Sequence, residues 1–118
     1  MNIGTDIVHI TRIEKALDKF GNRFPERFLH PEEIAITKKT ASVAGFWAAK
    51  EAISKALGCG IGKSLSFHDI IISKDAKGSP YFNLSPSAQN IYNIETSSLS
   101  ISHDGGFAIA VVVLHLKN

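Results

Sequence analysis

The spacing of apolar and polar positions predicts helices in the first half of the chain and strands in the second. Near the start, "NIGTDIVHI" is short and β-branched, which predicts a strand over about residues 3–10. Thr11 and Glu14 have capping-box spacing, so we expect a helix with Thr11 as its N-cap, closed by Gly21. The apolar residues that follow at helical spacing are Ile13, Ala16, Leu17 and Phe20.

Two more helical segments are predicted before the middle of the chain. The stretch "PERFLHPEEIAITKK" favours one or two short helices, broken near Pro31. The stretch "TASVAGFWAAKEAISKAL" predicts the main helix of the protein. One stripe of this helix consists of Ala49, Ala52, Ile53 and Ala56. Such small side chains would allow another element to pack closely against it.

The second half changes to the spacing of strands. "HDIIISKDAKGSPYFNL" predicts two strands joined by a turn around Lys77 and Gly78. "SPSAQNIYNI" predicts a short helix capped by Ser85, with Pro86 in its first turn. "SLSISHDGGFAIAVVVLHL" predicts a hairpin, and its turn contains Asp104, Gly105 and Gly106. Helices followed by antiparallel strands predict an α+β fold and not an alternating βαβ fold.

Composition restricts the class of protein. The 118 residues correspond to one domain, residues 1–118, and 44% apolar with 20% charged residues is typical of a globular chain. A net charge of +2 does not favour nucleic-acid binding. Because Cys59 is the single cysteine, no intrachain disulfide can form, and a lone thiol suits a reducing compartment. The start does not resemble a signal peptide, and the longest apolar run, residues 107–114, is too short to span a membrane, so we expect a cytoplasmic protein.

The end of the main helix combines charged residues with glycines. Glu51 and Lys55 are four residues apart and share one helix face, where a surface ion pair worth about 0.3–0.5 kcal/mol is the simplest interpretation. Gly58, Gly60 and Gly62 then expose backbone amides and remove side chains, which suits a diphosphate lying against the chain. A flexible loop is the alternative. The pattern is not a P-loop, because no glycine stands five residues before Gly62.

Asp6 is an acid inside an apolar strand, which is costly unless it is paired, binds a cation or lies at a solvated edge. If Asp6 and Glu51 meet in the fold, they would form a site for Mg²⁺, which commonly takes one or two carboxylates together with phosphate oxygens. Zinc is disfavoured, because Cys59 has no histidine or cysteine partner at ligand spacing.

Two further groups of residues could take part in catalysis or binding. His103 lies at a predicted strand end, where it could donate to a phosphate, accept a proton, or only bond to Asp104. A basic stretch runs along and just after the first helix. Its members are Arg12, Lys15, Lys19, Arg23 and Arg27. The stretch is either a solvated face or a docking surface for an acidic protein.

Several segments together resemble the holo-acyl-carrier-protein synthases, the small bacterial 4'-phosphopantetheinyl transferases. They are "IGTDIVHITRIE", "RFLHPEE", "FWAAKEAISKALGCGIG", "SFHDIIISKDAKGSPYF" and "LSISHD", in the family's order and over nearly the whole chain. The resemblance implies an antiparallel sheet with a long helix packed against it. It also implies transfer of 4'-phosphopantetheine from coenzyme A to a serine of apo-acyl carrier protein, with adenosine 3',5'-bisphosphate leaving.

The resemblance also implies roles for single residues and an oligomeric state. Asp6 and Glu51 would hold Mg²⁺ against the coenzyme A diphosphate, Lys55 would neutralise phosphate charge, and His103 would lie near the nucleotide. The coenzyme A site would be lined by the backbone of Gly58, Gly60, Ile61 and Gly62. The acyl carrier protein would be met by Arg12, Arg23 and Arg27. The family further implies a homotrimer with active sites between subunits, so we expect Asp6 and Glu51 to face a neighbouring chain.

Two positions depart from the family pattern, and other functions remain open. Many relatives have arginine at Phe46 and threonine at Cys59, so one phosphate contact and one hydroxyl contact are in doubt. The alternative functions are a non-catalytic module that binds coenzyme A or the carrier, a different metal-dependent phosphate enzyme such as a nucleotide diphosphatase, and a purely structural oligomer. The sequence also leaves the general base open between a water relayed by Glu51 and His103.

Overall fold

The order of helices and strands follows the predicted order. A computed structural model describes residues 1–117 of the chain. The elements are β1 (Asn2–His9), α1 (Ile10–Phe20), α2 (Arg23–Glu26), α3 (Pro31–Ile36), α4 (Thr40–Ala56), a 3-10 helix (Phe67–Asp69), β2 (Ile70–Lys74), β3 (Pro80–Leu84), α5 (Pro86–Tyr92), β4 (Ile94–Asp104) and β5 (Phe107–Leu116). The predicted main helix is thus α4, and the predicted first strand and the two predicted hairpins correspond to β1, β2/β3 and β4/β5.

The strands form two antiparallel sheets, and α4 packs on the larger one. That sheet has the order β1-β5-β4, and the smaller sheet pairs β2 with β3. β1 is an edge strand, with Asp6 opposite Ala110 and Ala110 opposite Ile101. Every second residue of β5 is buried against α4, which explains the alternating pattern of this strand. Those residues are Ala108, Ala110, Val112 and Leu114. The predicted α+β fold class is confirmed.

The predicted capping box at the start of α1 is wrong. The helix begins at Ile10, so that His9 occupies the N-cap position and Thr11 already lies inside the helix. Strand pairing continues through His9, which faces Phe107 of β5, and the Ile10 amide donates to the carbonyl of Gly106 at 2.9 Å. The contact with the hairpin therefore sets the start of the helix, overriding the local capping preference.

The remaining turn and cap predictions are confirmed, with one adjustment. The Ser85 hydroxyl accepts a hydrogen bond from the Ala88 amide at 3.4 Å, as expected of an N-cap. In the last hairpin, Asp104 still pairs with Phe107, so the turn itself consists of Gly105 and Gly106. Among residues 1–117, no helix is both long enough and apolar enough to cross a membrane.

Candidate functional site

The site begins with an unusually close contact between β1 and α4. Gly4 of β1 lies directly on the backbone of α4, and a Cβ atom built on Gly4 would be 2.0 Å from the carbonyl oxygen of Ala52. Only glycine allows this approach, because that distance is far inside van der Waals contact. The contact brings Asp6, two residues further along the strand, beside the second half of α4, where Glu51 and Lys55 lie.

Asp6 and Lys55 are bonded directly. The Lys55 Nζ donates to Asp6 Oδ1 at 3.0 Å and to the carbonyl of Thr5 at 3.2 Å. The Asp6 side chain is only 16% exposed, whereas that of Lys55 is 54% exposed. The hydrogen-bonded carboxylate partner of Lys55 is therefore the strand acid Asp6, and the simple helix-surface pair with Glu51 is not what forms.

Glu51 lies within range of the same charges. Burial raises the pKa of the Glu51 carboxyl, and the negative charge of Asp6 raises it further, whereas the charges of Lys55 and Arg12 lower it. Two carboxylates that repel one another at a partly open surface favour a bound cation. Within the described chain, no cluster of three or more histidine, cysteine, aspartate or glutamate residues could hold a metal by itself. A divalent ion here would need water or substrate oxygens as its other ligands.

The glycine segment after α4 departs from one expectation. Gly58 and Gly60 have positive φ angles of 82° and 68°, which reverse the chain at the helix end. The amides of Gly58, Gly60 and Gly62 donate to the carbonyls of Lys55, Ser54 and Leu65, respectively. The expectation that these amides are free for a phosphate is therefore wrong. The glycines instead leave an exposed loop with few side chains, within which Ile61 packs against the core.

His103 does not join Asp6 within one chain. Asp6, Lys55 and Ile109 line one depression of about 290 Å³, together with Thr5 and Ile7. His103 lies in a second depression of about 230 Å³, and the two share no lining residue. The second is lined by Ala41, Ser42, Phe46, Lys74, Gly78, Pro80, Ile101 and His103. Lys74 was not singled out from the sequence, where it is an ordinary strand-end lysine, yet it lines the same depression as Phe46 and His103.

Two of the three predicted docking arginines lie against aromatic rings. The Arg12 guanidinium is 5.6 Å from the centre of the Trp47 ring, and that of Arg27 is 4.8 Å from the centre of the Phe20 ring. Such cation–π contacts orient a side chain while leaving its charge available. Arg23 is exposed at the start of α2. We call these three arginines, together with the rings of Trp47 and Phe20, the docking surface.

A buried ion pair next to Glu51 was missed. Lys50 Nζ lies 2.8 Å from Glu33 Oε1, and both side chains are fully buried. Burial lowers the pKa of the Lys50 ammonium, while the hydrogen bond and charge of Glu33 oppose that shift. The sequence did contain a signal, since Lys50 is spaced three and four residues from the buried Ile53 and Phe46, which is a core position of the helix.

Comparison with known proteins gives consistent results over nearly the whole chain. The family described as the 4'-phosphopantetheinyl transferase superfamily matches residues 2–112. A holo-[acyl-carrier-protein] synthase of a Sulfurovum species is 59% identical, with 99% of this chain and 98% of that protein aligned. The crystal structure of the Helicobacter pylori holo-[acyl-carrier-protein] synthase in complex with coenzyme A superposes with a TM-score of 0.93 at 56% identity, covering 96% of this chain and 99% of that one. A Bacillus anthracis synthase in complex with coenzyme A (3',5'-ADP) has a TM-score of 0.83 at 44% identity, covering 98% and 96%.

Proposed function

The chain belongs to the 4'-phosphopantetheinyl transferase superfamily, and from this membership we propose that it is a holo-acyl-carrier-protein synthase. It transfers 4'-phosphopantetheine from coenzyme A to a serine hydroxyl of apo-acyl carrier protein and releases adenosine 3',5'-bisphosphate. The observation that carries this proposal is the meeting of Asp6, Lys55 and Glu51 at the contact between β1 and α4, in a chain 59% identical to such a synthase.

The pair of carboxylates fits a Mg²⁺ ion. Burial and the negative charge of Asp6 both raise the pKa of Glu51. Mg²⁺ typically takes one or two carboxylates and completes its shell with water and phosphate oxygens. When bound, the ion would stabilise negative charge on the coenzyme A diphosphate. Asp6 and Glu51 would hold it from two different elements, so the strand and the helix must stay in contact for the site to exist.

The remaining groups of the chain act on phosphate charge and on the serine proton. During transfer, the serine oxygen bonds to the phosphorus that bears the pantetheine arm, and the bond from that phosphorus to the leaving bisphosphate breaks. Lys55, whose side chain is half exposed, supplies positive charge to the diphosphate as this bond breaks. Glu51, acting through an ordered water, is the first candidate to accept the serine proton. His103 is the second candidate.

The nucleotide end of coenzyme A is assigned to the depression that contains His103. Ser42 and Lys74 also line it, so Lys74 can supply the phosphate contact that the departure at Phe46 left in doubt. The exposed loop at residues 58–62, with few side chains, would let the cofactor lie close to the chain. We expect a location in the cytoplasm, where coenzyme A and the lone exposed thiol of Cys59 meet reducing conditions.

A homotrimer is proposed because one chain leaves its site open and its sheet uncovered. The face of the larger sheet opposite α4 exposes Ile3 and Ile7 of β1 and Ile109 and Val111 of β5, each between 38% and 59% exposed. Contiguous apolar surface of this kind favours association. Ile7 and Ile109 also line the depression of Asp6, so a neighbouring copy packed there would reach the carboxylates and could complete the site with its own His103.

The basic and aromatic surface on α1 and α2 is the proposed contact for the carrier. Arg12, Arg23 and Arg27 offer positive charge to an acidic partner, and the rings of Trp47 and Phe20 hold two of these guanidinium groups in place. The charge of Arg12 also reaches Glu51, so this surface adjoins the reacting groups.

The decisive experiment is a labelling assay. Apo-acyl carrier protein is mixed with coenzyme A, Mg²⁺ and a catalytic amount of this protein, and the mass of the carrier is then measured by mass spectrometry. The proposal predicts a gain of one phosphopantetheine arm per carrier, abolished when the acceptor serine is replaced by alanine. A binding module would leave the mass of the carrier unchanged. Release of free phosphopantetheine in the absence of carrier would indicate a diphosphatase.

A further inference from the structure

The buried Lys50–Glu33 pair uses every hydrogen-bonding group of both side chains. The Lys50 ammonium donates to Glu33 Oε1 at 2.8 Å, to the Phe28 carbonyl at 2.7 Å and to the Phe67 carbonyl at 3.1 Å. In return, Glu33 Oε1 accepts from the His30 amide at 2.8 Å and Oε2 accepts from the Ile72 amide at 2.9 Å. Three ammonium hydrogens and both carboxylate oxygens thus have defined partners.

These bonds tie the docking surface to the catalytic helix. Phe28 directly follows Arg27, at the end of the segment that carries the proposed carrier-binding arginines. Lys50 directly precedes Glu51 on α4. The Lys50 ammonium therefore links the backbone next to the docking arginine Arg27 to the helix position next to the proposed metal ligand Glu51. Glu33 extends the same connection to β2 through Ile72.

We propose that the Lys50–Glu33 pair positions the carrier: it fixes the α2 segment and the turn after it against α4, so that a docked carrier presents its serine at the reacting phosphate. This inference rests on the proposed function. Both groups are fully buried, so neither can touch carrier, coenzyme A or metal. Lys50 and Glu33 are therefore positioning residues and act through Arg23, Arg27 and Glu51.

A fold-stabilising role alone does not account for this arrangement. Replacing a buried ion pair by apolar residues is often neutral or even stabilising, because desolvation offsets much of the attraction between the charges. An apolar pair, however, makes no hydrogen bonds and so cannot fix the relative orientation of two backbone segments. Hydrogen bonds to the carbonyls of Phe28 and Phe67 fix both the distance and the angle at which two segments meet α4. Transfer depends on such positioning, since displacements of about 1 Å can cost roughly a hundredfold in rate.

The test compares the unmodified protein with the double variant Lys50→Met/Glu33→Gln, which removes both buried charges together. Transfer is measured with carrier varied at saturating coenzyme A, and coenzyme A affinity is measured separately by calorimetry. We expect kcat/KM for the carrier to fall at least tenfold per folded molecule, while the affinity for coenzyme A stays within twofold. Leu114→Val, a buried change in β5 opposite Asn2 and Ser97 and outside the hydrogen bonds of the pair, is the matched control: it should lower the melting temperature and leave both constants within twofold.

Two results would overturn the positioning role: an unchanged kcat/KM for the carrier in the folded double variant, or an equal loss of carrier transfer and coenzyme A affinity. Should the variant not fold, hydrogen exchange in the unmodified protein decides. Exchange at the His30 and Ile72 amides should slow several-fold when carrier binds, and unchanged exchange at both would refute the role. Failure of the proposed function is separate, because the unmodified protein would then not label the carrier at all.

Discussion

Lys55 and Asp6 are 49 residues apart in the sequence, yet Lys55 Nζ lies 3.0 Å from Asp6 Oδ1. This bond joins the exposed face of α4 to the edge strand of the larger sheet, one helical turn after Glu51. The positive charge of Lys55 offsets part of the repulsion between the carboxylates of Asp6 and Glu51. The three side chains therefore behave as one electrostatic unit, and changing any of them changes the other two.

Replacing Glu51 by glutamine should abolish most transfer without unfolding the protein. The side chain keeps its shape but loses the charge proposed to hold Mg²⁺, so we expect transfer to fall about a hundredfold or more, equivalent to ~2.7 kcal/mol. Initial rates of carrier labelling at limiting Mg²⁺ provide the measurement. Glu95→Gln, at an exposed carboxyl outside the site, is the matched control and should retain full activity. Near-normal turnover of Glu51→Gln at limiting Mg²⁺ would rule out the metal role.

The same substitution should affect stability in a pH-dependent way. Because burial and Asp6 raise the pKa of Glu51 in the folded state, ionising this carboxyl opposes folding. The penalty is absent below the pKa of the unfolded chain and fully present above the raised pKa of the folded chain. In metal-free buffer, Glu51→Gln should therefore be equal in stability to the unmodified protein at acidic pH and more stable at neutral pH.

Thermal unfolding of both proteins between acidic and neutral pH measures this difference. Adding Mg²⁺ at neutral pH should stabilise the unmodified protein more than the variant. If the variant is instead less stable at neutral pH, Glu51 is stabilised by its surroundings as an anion, and the assigned direction of its pKa is wrong.

Asp69 should show the opposite dependence on pH. The amide of Ser66 and the hydroxyl of Ser85 donate to its carboxylate, and these bonds lower its pKa. The stability that they contribute is present above the unfolded pKa and is lost as pH falls through the lowered folded pKa. Asp69→Asn should cost about 1 kcal/mol at neutral pH, as for the loss of a cap. The cost should shrink in acid, and a cost independent of pH would show that charge is not involved.

A methyl group at Gly4 should separate the two halves of the site. The Cβ of Gly4→Ala would meet the Ala52 carbonyl at 2.0 Å, so β1 must move away from α4 and take Asp6 with it. We expect a loss of about 3 kcal/mol in unfolding free energy and loss of transfer at temperatures where the protein is still folded. Gly62→Ala, where a Cβ meets nothing within 4 Å, is the control for stability. Normal stability and transfer in Gly4→Ala would show that the close contact is not required.

Local patterns predicted the elements well, because helix and strand spacing reflects burial on one face. The alternation along β5 and the alanine-rich stripe of α4 both follow from the contact between these elements. The N-cap role of Ser85 could be predicted from the sequence, because its hydrogen bond with the Ala88 amide spans only three residues. The start of α1 could not be predicted in this way, since it depends on a hydrogen bond between Ile10 and Gly106, which are far apart in the sequence.

The candidate site was predictable only as a set of residue types. Helical spacing singled out Glu51 and Lys55, and an acid inside an apolar strand singled out Asp6. Whether Asp6 meets α4 depends on strand order and on the missing side chain of Gly4. The Lys50–Glu33 pair was missed because a lysine beside a glutamate on a helix ordinarily lies at the surface, and its partner is 17 residues away. Hydrogen bonding of the glycine amides was also invisible, since it is set by how α4 ends.

The proposed mechanism requires Asp6 and Glu51 to bind one divalent ion together beside the coenzyme A diphosphate. Mn²⁺ can replace Mg²⁺ as a paramagnetic probe of this site, and its binding can be titrated by electron paramagnetic resonance in the presence of coenzyme A. We predict one Mn²⁺ per site with magnetic coupling to phosphorus, and a loss of affinity of at least tenfold in Asp6→Asn and in Glu51→Gln. Unchanged Mn²⁺ affinity in both variants, or binding without coupling to phosphorus, would contradict a divalent-ion site formed by Asp6 and Glu51 beside the diphosphate.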